Sequence, residues 1–329
     1  MKNTLWVIGV FYLFTCNGQE ERHHAAQGGA VEYYTKLAGI ISPYLEFKGR
    51  GQITGEETVR LSHYEFTYGP QGELRSIRFF EENEPGNNSY YGTHEVRYTY
   101  GTGQRVRTYY DANGNKATTY RHYYSGGNIH KEVFTTDDGD RTSLVFLDTL
   151  GDQVATGMGT YRMEFQRCNE RHFIQEQFKK DGTPNILTTY FPLYRTEIRT
   201  NESGFLRSIV NLDKNGAVAK SEQAGYARVV FDFDAYGNEL GWSFHGIDNN
   251  LSDRKAAFDM DFGFAKVVYE FQWKDKKLGL HHGFKEFYYD EQNEPVENNR
   301  GVHRIAYVYD DHGNFLRSVA YDLGGREVE

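Results

Sequence analysis

Cysteine is almost missing from this chain of 329 residues, which has only Cys16 and Cys168. A scaffold stapled by several disulfides is thereby excluded, and stability has to come from packed side chains. Proline (6) and methionine (4) are scarce as well. Basic residues are in deficit, 37 Lys and Arg against 46 Asp and Glu for a formal charge of −9, and they form no dense run. Nucleic acid is not an expected partner, because a phosphate backbone demands a basic surface for counterion release. The same deficit argues against docking on anionic headgroups. No apolar run reaches the roughly 20 residues that a membrane-spanning helix requires.

Catalytic signatures are absent too: there is no Gly-x-Ser-x-Gly, His-Glu-x-x-His, Cys-x-x-Cys or phosphate loop. The chain does not read as an enzyme, and no cofactor is implied. The acidic clusters Asp137-Asp138-Gly139-Asp140 and Asp310-Asp311 lack the alternating ligand spacing of a calcium loop, so they read as turns. His281-His282 and Glu286 lie beside Phe287-Tyr288-Tyr289, which has strand character. Positions four apart do not converge on a strand, so these histidines are expected at the surface and no metal site is assigned.

What the chain has in quantity is 26 Tyr, 23 Phe and 35 Gly, a mixture that favours strands joined by glycine turns. It also repeats itself. Gly225-Tyr226-Ala227-Arg228, Gly263-Phe264-Ala265-Lys266 and Gly301-Val302-His303-Arg304 are each followed by alternate aromatics, Phe231/Phe233, Tyr269/Phe271 and Tyr307/Tyr309. A second phrase recurs as Leu74-Arg75-Ser76-Ile77, Leu206-Arg207-Ser208-Ile209 and Leu316-Arg317-Ser318-Val319. Weaker copies fall near His63, His94, Tyr120-Arg121, Tyr161-Arg162 and Tyr194-Arg195, about eight in all. Asp-x-x-Gly at Asp111, Asp148, Asp213, Asp234, Asp310 and Asp322 supplies type I turn chemistry, with Asp accepting backbone bonds and Gly free to take positive φ. These turns are expected to reverse hairpins.

Tyr309-Asp310-x-x-Gly313 and its relatives resemble the Tyr-Asp motifs of bacterial YD (RHS-like) repeat proteins, and Gly301 to Asn314 with Asn293-Glu294-Pro295-Val296 resembles longer repeats of exported and uncharacterised bacterial proteins. The likeness covers roughly residues 59–329. RHS-like repeats are shorter, and their chains are far longer and close into a shell around a toxin, so a containment role is not carried over.

The start of the chain reads as a targeting segment over residues 1–18: Lys2, the apolar run Leu5 to Phe14, then polar residues. Leu13-Phe14-Thr15-Cys16 resembles the lipobox of bacterial lipoproteins, which implies lipidation at Cys16. Thr15 departs from the small residue usual there, and plain cleavage near Cys16-Asn17-Gly18 is the alternative. Gln19-Glu20-Glu21 resembles the surface-export tags of Bacteroidetes-type lipoproteins. The expected location is the outer membrane or cell surface, otherwise periplasmic or secreted, with any membrane contact made through the lipid alone.

Residues 19–58 are expected to hold one short helix and a linker. Ala30, Val31, Tyr34, Leu37, Ala38 and Ile41 recur at helical spacing before Pro43, and residues 48–58 contain three glycines. Residues 59–329 are expected to be all-β, a repeat array of antiparallel hairpins forming one long twisted or spiral sheet of about 14 to 16 strands, or an open barrel. Two features rise above plain packing. The aromatic stripe, with Trp242 and Trp273 as exposed anchors beside Tyr269, Tyr307 and Tyr309, suits a sugar or peptide platform. A basic residue recurs at one register, Arg162, Arg195, Arg228, Lys266 and Arg304, and forms either structural pairs or a groove for an acidic polymer. The chain therefore reads as a non-enzymatic exported binding or scaffold module for a polysaccharide or protein partner at the cell envelope. A polysaccharide-active enzyme or accessory factor is the alternative.

Overall fold

Alternation of apolar and polar residues between glycine-rich turns is realised as strand throughout. The computed structural model describes residues 29–38, 42–87, 91–119, 127–258, 260–310 and 315–328. They form 22 antiparallel strands in a single open sheet, four of them only two residues long, with no α-helix. The targeting segment and Cys16 lie outside the described residues, as does Tyr120-Arg121.

Eight hairpins follow one another along the chain. Their first strands begin at His63, Glu95, Lys131, Arg162, Arg195, Arg228, Lys266 and Arg304. The second strand of each pairs with the first strand of the next, so the array is one continuous meander. The Leu-Arg-Ser phrase does open second strands, at Leu74–Glu81, Leu206–Asn211 and within Phe315–Tyr321. The eroded copy belongs at Lys131–Leu147, about ten residues beyond Tyr120-Arg121. His130 stands just before it, and its Nδ1 meets the Ala117 carbonyl, as His94 meets Gly86 and His303 meets Val296.

Two expectations are corrected. The helical spacing before Pro43 is not used: Val31–Leu37 is a strand, and Gly49–Ile53, expected as linker, is its partner. Val31–Leu37 also pairs with His63–Tyr68, and capture by that open edge satisfies backbone groups that a lone short helix would leave half unpaired. Most Asp-x-x-Gly turns, moreover, do not sit at hairpin tips. Asp234 does, but Asp111, Asp148, Asp213 and Asp322 follow the second strand and fold the chain back over its end, as the bridges Tyr110 to Lys116 and Leu212 to Val218 show. Each repeat is thus a hairpin plus a short return. Asp213 is representative: its Oδ1 accepts from the Asn215 and Ala217 amides at 2.8 and 2.9 Å.

A sheet of one layer can bury one face only by curling around itself. Inward positions such as Phe66, Ile77, Phe134, Phe146, Ile198, Val229 and Phe244 are buried. Residues 42–48 run through this interior: Tyr44 stacks on Phe173 at 4.1 Å, Phe47 packs against Tyr91, and Ser42 bonds Gln175. Glu46 is clasped from two hairpins, by Arg107 at 3.0 Å and by Arg141. Arg107 also meets the buried Glu132 at 3.1 Å, whose other oxygen accepts from the Tyr109 hydroxyl. The Val31–Leu37 and Gly49–Ile53 pair then touches turns far along the chain. Thr35 donates to the Leu278 carbonyl at 2.5 Å, Arg50 to Asn238 Oδ1 at 2.6 Å, and Lys48 to the Ser203 carbonyl.

Candidate functional site

Strand periodicity separates the two features read from the sequence. In Lys266–Asp275, Val267, Tyr269 and Phe271 face inward, while Lys266, Val268 and Glu270 face outward, and Arg228 and Arg304 occupy the same outward register in their own strands. The aromatic stripe and the basic register therefore occupy opposite faces of one sheet and do not form a common site. On the outer face three of the five cations lie against the residue directly across the hairpin. Arg162 covers Phe178 at 4.1 Å, Lys266 covers Tyr289 at 5.7 Å, and Arg304 covers Tyr321 at 4.2 Å. Arg228 instead reaches Asn249 at 3.1 Å, and Arg195 pairs with Glu176 at 2.8 Å. Cross-strand stacking of this kind holds the cations in place one hairpin at a time.

The inner face carries a cleft. The hairpin Lys266–Tyr289 is the longest in the array, and its far end extends past the curl, where the N-terminal strand pair roofs it. Between them lies a cavity of about 320 Å³, lined by Tyr269, Phe271, Trp273, His281 and Phe284 of that hairpin together with Lys36, Arg50 and Glu239. That volume lies at the small end of the roughly 300–1,000 Å³ of small-molecule sites. Phe271 and Trp273 are stacked at 4.4 Å, and Phe284 stacks on Tyr307 at 4.5 Å, which extends the aromatic surface toward Tyr309. Trp273, Tyr269, Tyr307 and Tyr309 are half-buried, as a platform requires. Trp242 is not an exposed anchor: it is 7 % exposed, and its Nε1 donates to the Tyr269 hydroxyl at 3.1 Å, so it braces the cleft from behind.

Titratable groups in the cleft are displaced from their ordinary behaviour, as happens where burial and charge are combined at functional sites. Burial pushes the Glu239 carboxyl up to about 7, against the pull of Arg50 and with help from Glu286. Burial lowers Lys36, and Arg50 adds to the effect. His281 is lowered to about 4 by burial and by the nearby Lys36 and Arg50, so its ring is neutral. Its Nδ1 is buried with no hydrogen-bond partner. His281 is thus a cleft residue and not the surface histidine its neighbours in sequence suggested. Glu286 is raised by burial but does not line the cavity; Tyr288 donates to it at 2.6 Å and Tyr307 at 3.3 Å. Among the described residues no group of three His, Cys, Asp or Glu side chains gathers as a metal set. The Asp137 to Asp140 cluster is a hairpin tip, with Asp138 and Gly139 at positive φ.

Lys36, Arg50, Glu239 and His281 were not legible as site residues. Three come from strands or turns more than 180 residues away from the aromatic hairpin or on another repeat, and only curling brings them together.

No family model matches the chain, and no curated protein matches it. Among solved structures it is similar to one described as the crystal structure of TcdB2-TccC3-TEV, with 12 % identity and a TM-score of 0.25. The match covers 82 % of this chain and 14 % of that one, so the chain spans about one seventh of the length of the protein it matches. No helix among the described residues is long and apolar enough to cross a membrane.

Proposed function

We propose that this chain is an exported, non-enzymatic binding module of YD-type hairpin repeats, and that the Trp273 cleft receives a carbohydrate or protein partner of the cell envelope. The observation that carries this reading is the convergence of half-buried aromatic rings with Lys36, a cation with no ion pair among the described residues. Aromatic faces and a few convergent polar groups are the usual ingredients of a small-molecule site. A glycan array and a pull-down from envelope extracts, run with the parent chain and Trp273→Ala, test it. Capture that disappears in the variant supports the reading, and empty results from both screens sink it.

Export rests on the leader and its lipobox-like Leu13-Phe14-Thr15-Cys16. A single acylated Cys16 would tether a chain whose net negative charge disfavours anionic headgroups. Cys16→Ala should then leave the membrane fraction, and mass spectrometry of the mature N-terminus should find an acylated Cys16. An unmodified chain starting near Gln19 would establish plain secretion instead.

A polysaccharide-active enzyme is the second reading, favoured by one observation, the Glu239 carboxyl held near neutral pH in the cleft. Hydrolysis of a glycosidic bond uses two carboxyl groups facing one cleft. Glu286 is occupied by two tyrosine hydroxyls behind the cavity wall, which favours binding over turnover.

A further inference from the structure

Lys36 and Arg50 lie directly opposite one another in the N-terminal strand pair. Like charges at that register repel, and both line the cleft. Arg50 is engaged by Asn238 Oδ1 at 2.6 Å. Lys36 makes no hydrogen bond or ion pair with any described residue, and Glu239, which lines the same cleft, forms no ion pair with it. An unpaired cation withdrawn from water is costly unless something anionic joins it. Trp273, stacked on Phe271, lines the same cleft.

Resting on the binding reading above, we propose that the cleft is a subsite for one uronate residue of an acidic glycan. Lys36 and Arg50 take its carboxylate, and Trp273, backed by Phe271, carries the apolar face of its ring. The cavity is sized for one ring and not for a chain, so the site reads a single residue or an end. A carboxylate suits it better than a phosphate monoester. Arg50 is already shared with Asn238, and the Glu239 carboxyl lines the same cleft, so the site offers too little positive charge for a dianion. The basic register of Arg228, Lys266 and Arg304 has no part in this, being on the other face and stacked on its own hairpins or bonded to Asn249.

The test is calorimetric titration of the parent chain with acidic tetrasaccharides (galacturonate, mannuronate and hyaluronan), the methyl ester of the galacturonate, maltotetraose and sulfated maltotetraose. At least one uronate should bind tenfold or more tighter than the ester and the neutral sugar, and should weaken with salt. Lys36→Met should lose that tenfold advantage while melting no lower than the parent, since it removes a repelling charge and no bond. Trp273→Ala should lose affinity for acid and ester alike. Equal binding of acid and ester, an unaffected Lys36→Met, or tighter binding of the sulfated sugar would overturn the uronate assignment and leave the carbohydrate reading standing. No saccharide binding here, together with empty array and envelope screens, would remove both.

Discussion

Burying Arg107 and Arg141 inside the curl is tolerable only because Glu132 and Glu46 meet them there. Arg107 is 1 % exposed and Glu132 is fully buried, so neutralising the acid leaves the cation with Glu46 as its remaining carboxylate. Glu132→Gln should therefore cost about 2–3 kcal/mol and lower the melting temperature by about 5 °C. A drop of only a degree or two in a thermal melt would show that solvent reaches Arg107. Glu239 gives a second prediction with a defined pH window. Its pKa rises from 4.5 unfolded to about 7 folded, so the folded state holds the proton more tightly. The stability this contributes is complete below about pH 4.5 and is lost as pH rises through about 7. Glu239→Gln should match the parent at pH 4 and exceed it by up to about 3 kcal/mol at pH 8. His281 has the opposite sign: lowered from 6.5 to about 4, it contributes stability that is present above about pH 6.5 and lost as pH falls through 4.

At the scale of one repeat, the glycines separate into two kinds. Gly301, like Gly225 and Gly263 before it in the series, takes a left-handed φ of 75° where the chain enters a hairpin, and a Cβ there would meet nothing within 4 Å. Gly301→Ala should cost only the conformational penalty, about 1 kcal/mol. Gly241 is different: a Cβ would stand 2.2 Å from the Val267 carbonyl oxygen, on the neighbouring hairpin. Gly241→Ala has to push two strands apart and should destabilise by several times as much, measured by denaturant midpoint at constant slope. Equal effects would mean that the contact between successive hairpins is loose. Asp213→Ala, which removes two turn bonds at an exposed return, should cost about 1 kcal/mol.

For the whole molecule the interior segment matters more than any hairpin. A meander in which each unit touches its neighbours would unfold nearly additively. Here Ser42, Glu46, Lys48, Arg50 and Thr35 tie residues near Gln175, Arg141, Ser203, Asn238 and Leu278 to one short stretch. The array should consequently melt in a single transition. A chain begun at residue 55 should lose that cooperativity, bind a hydrophobic dye and precipitate, because its inner aromatic face has nothing to close on. A truncated chain that stayed soluble and melted as sharply as the parent would show that the hairpins curl unaided.

Local chemistry determined much of this molecule. Phe and Tyr at alternate positions, glycines at 225, 263 and 301 and the Leu-Arg-Ser phrase specify strands, entry turns and second strands, because each depends on contacts within a few residues. The basic register was legible for the same reason, though not what it packs on. Residues 30–41 misled, since helical spacing and a strand facing a curved interior place apolar residues at overlapping positions, and the edge of His63–Tyr68 decided between them. The cleft was out of reach. Lys36 and Arg50 meet Glu239, Trp273 and His281 only because one-layer sheets must curl to bury a face, and how far a sheet curls is the sum of many small twists that no single stretch of sequence encodes.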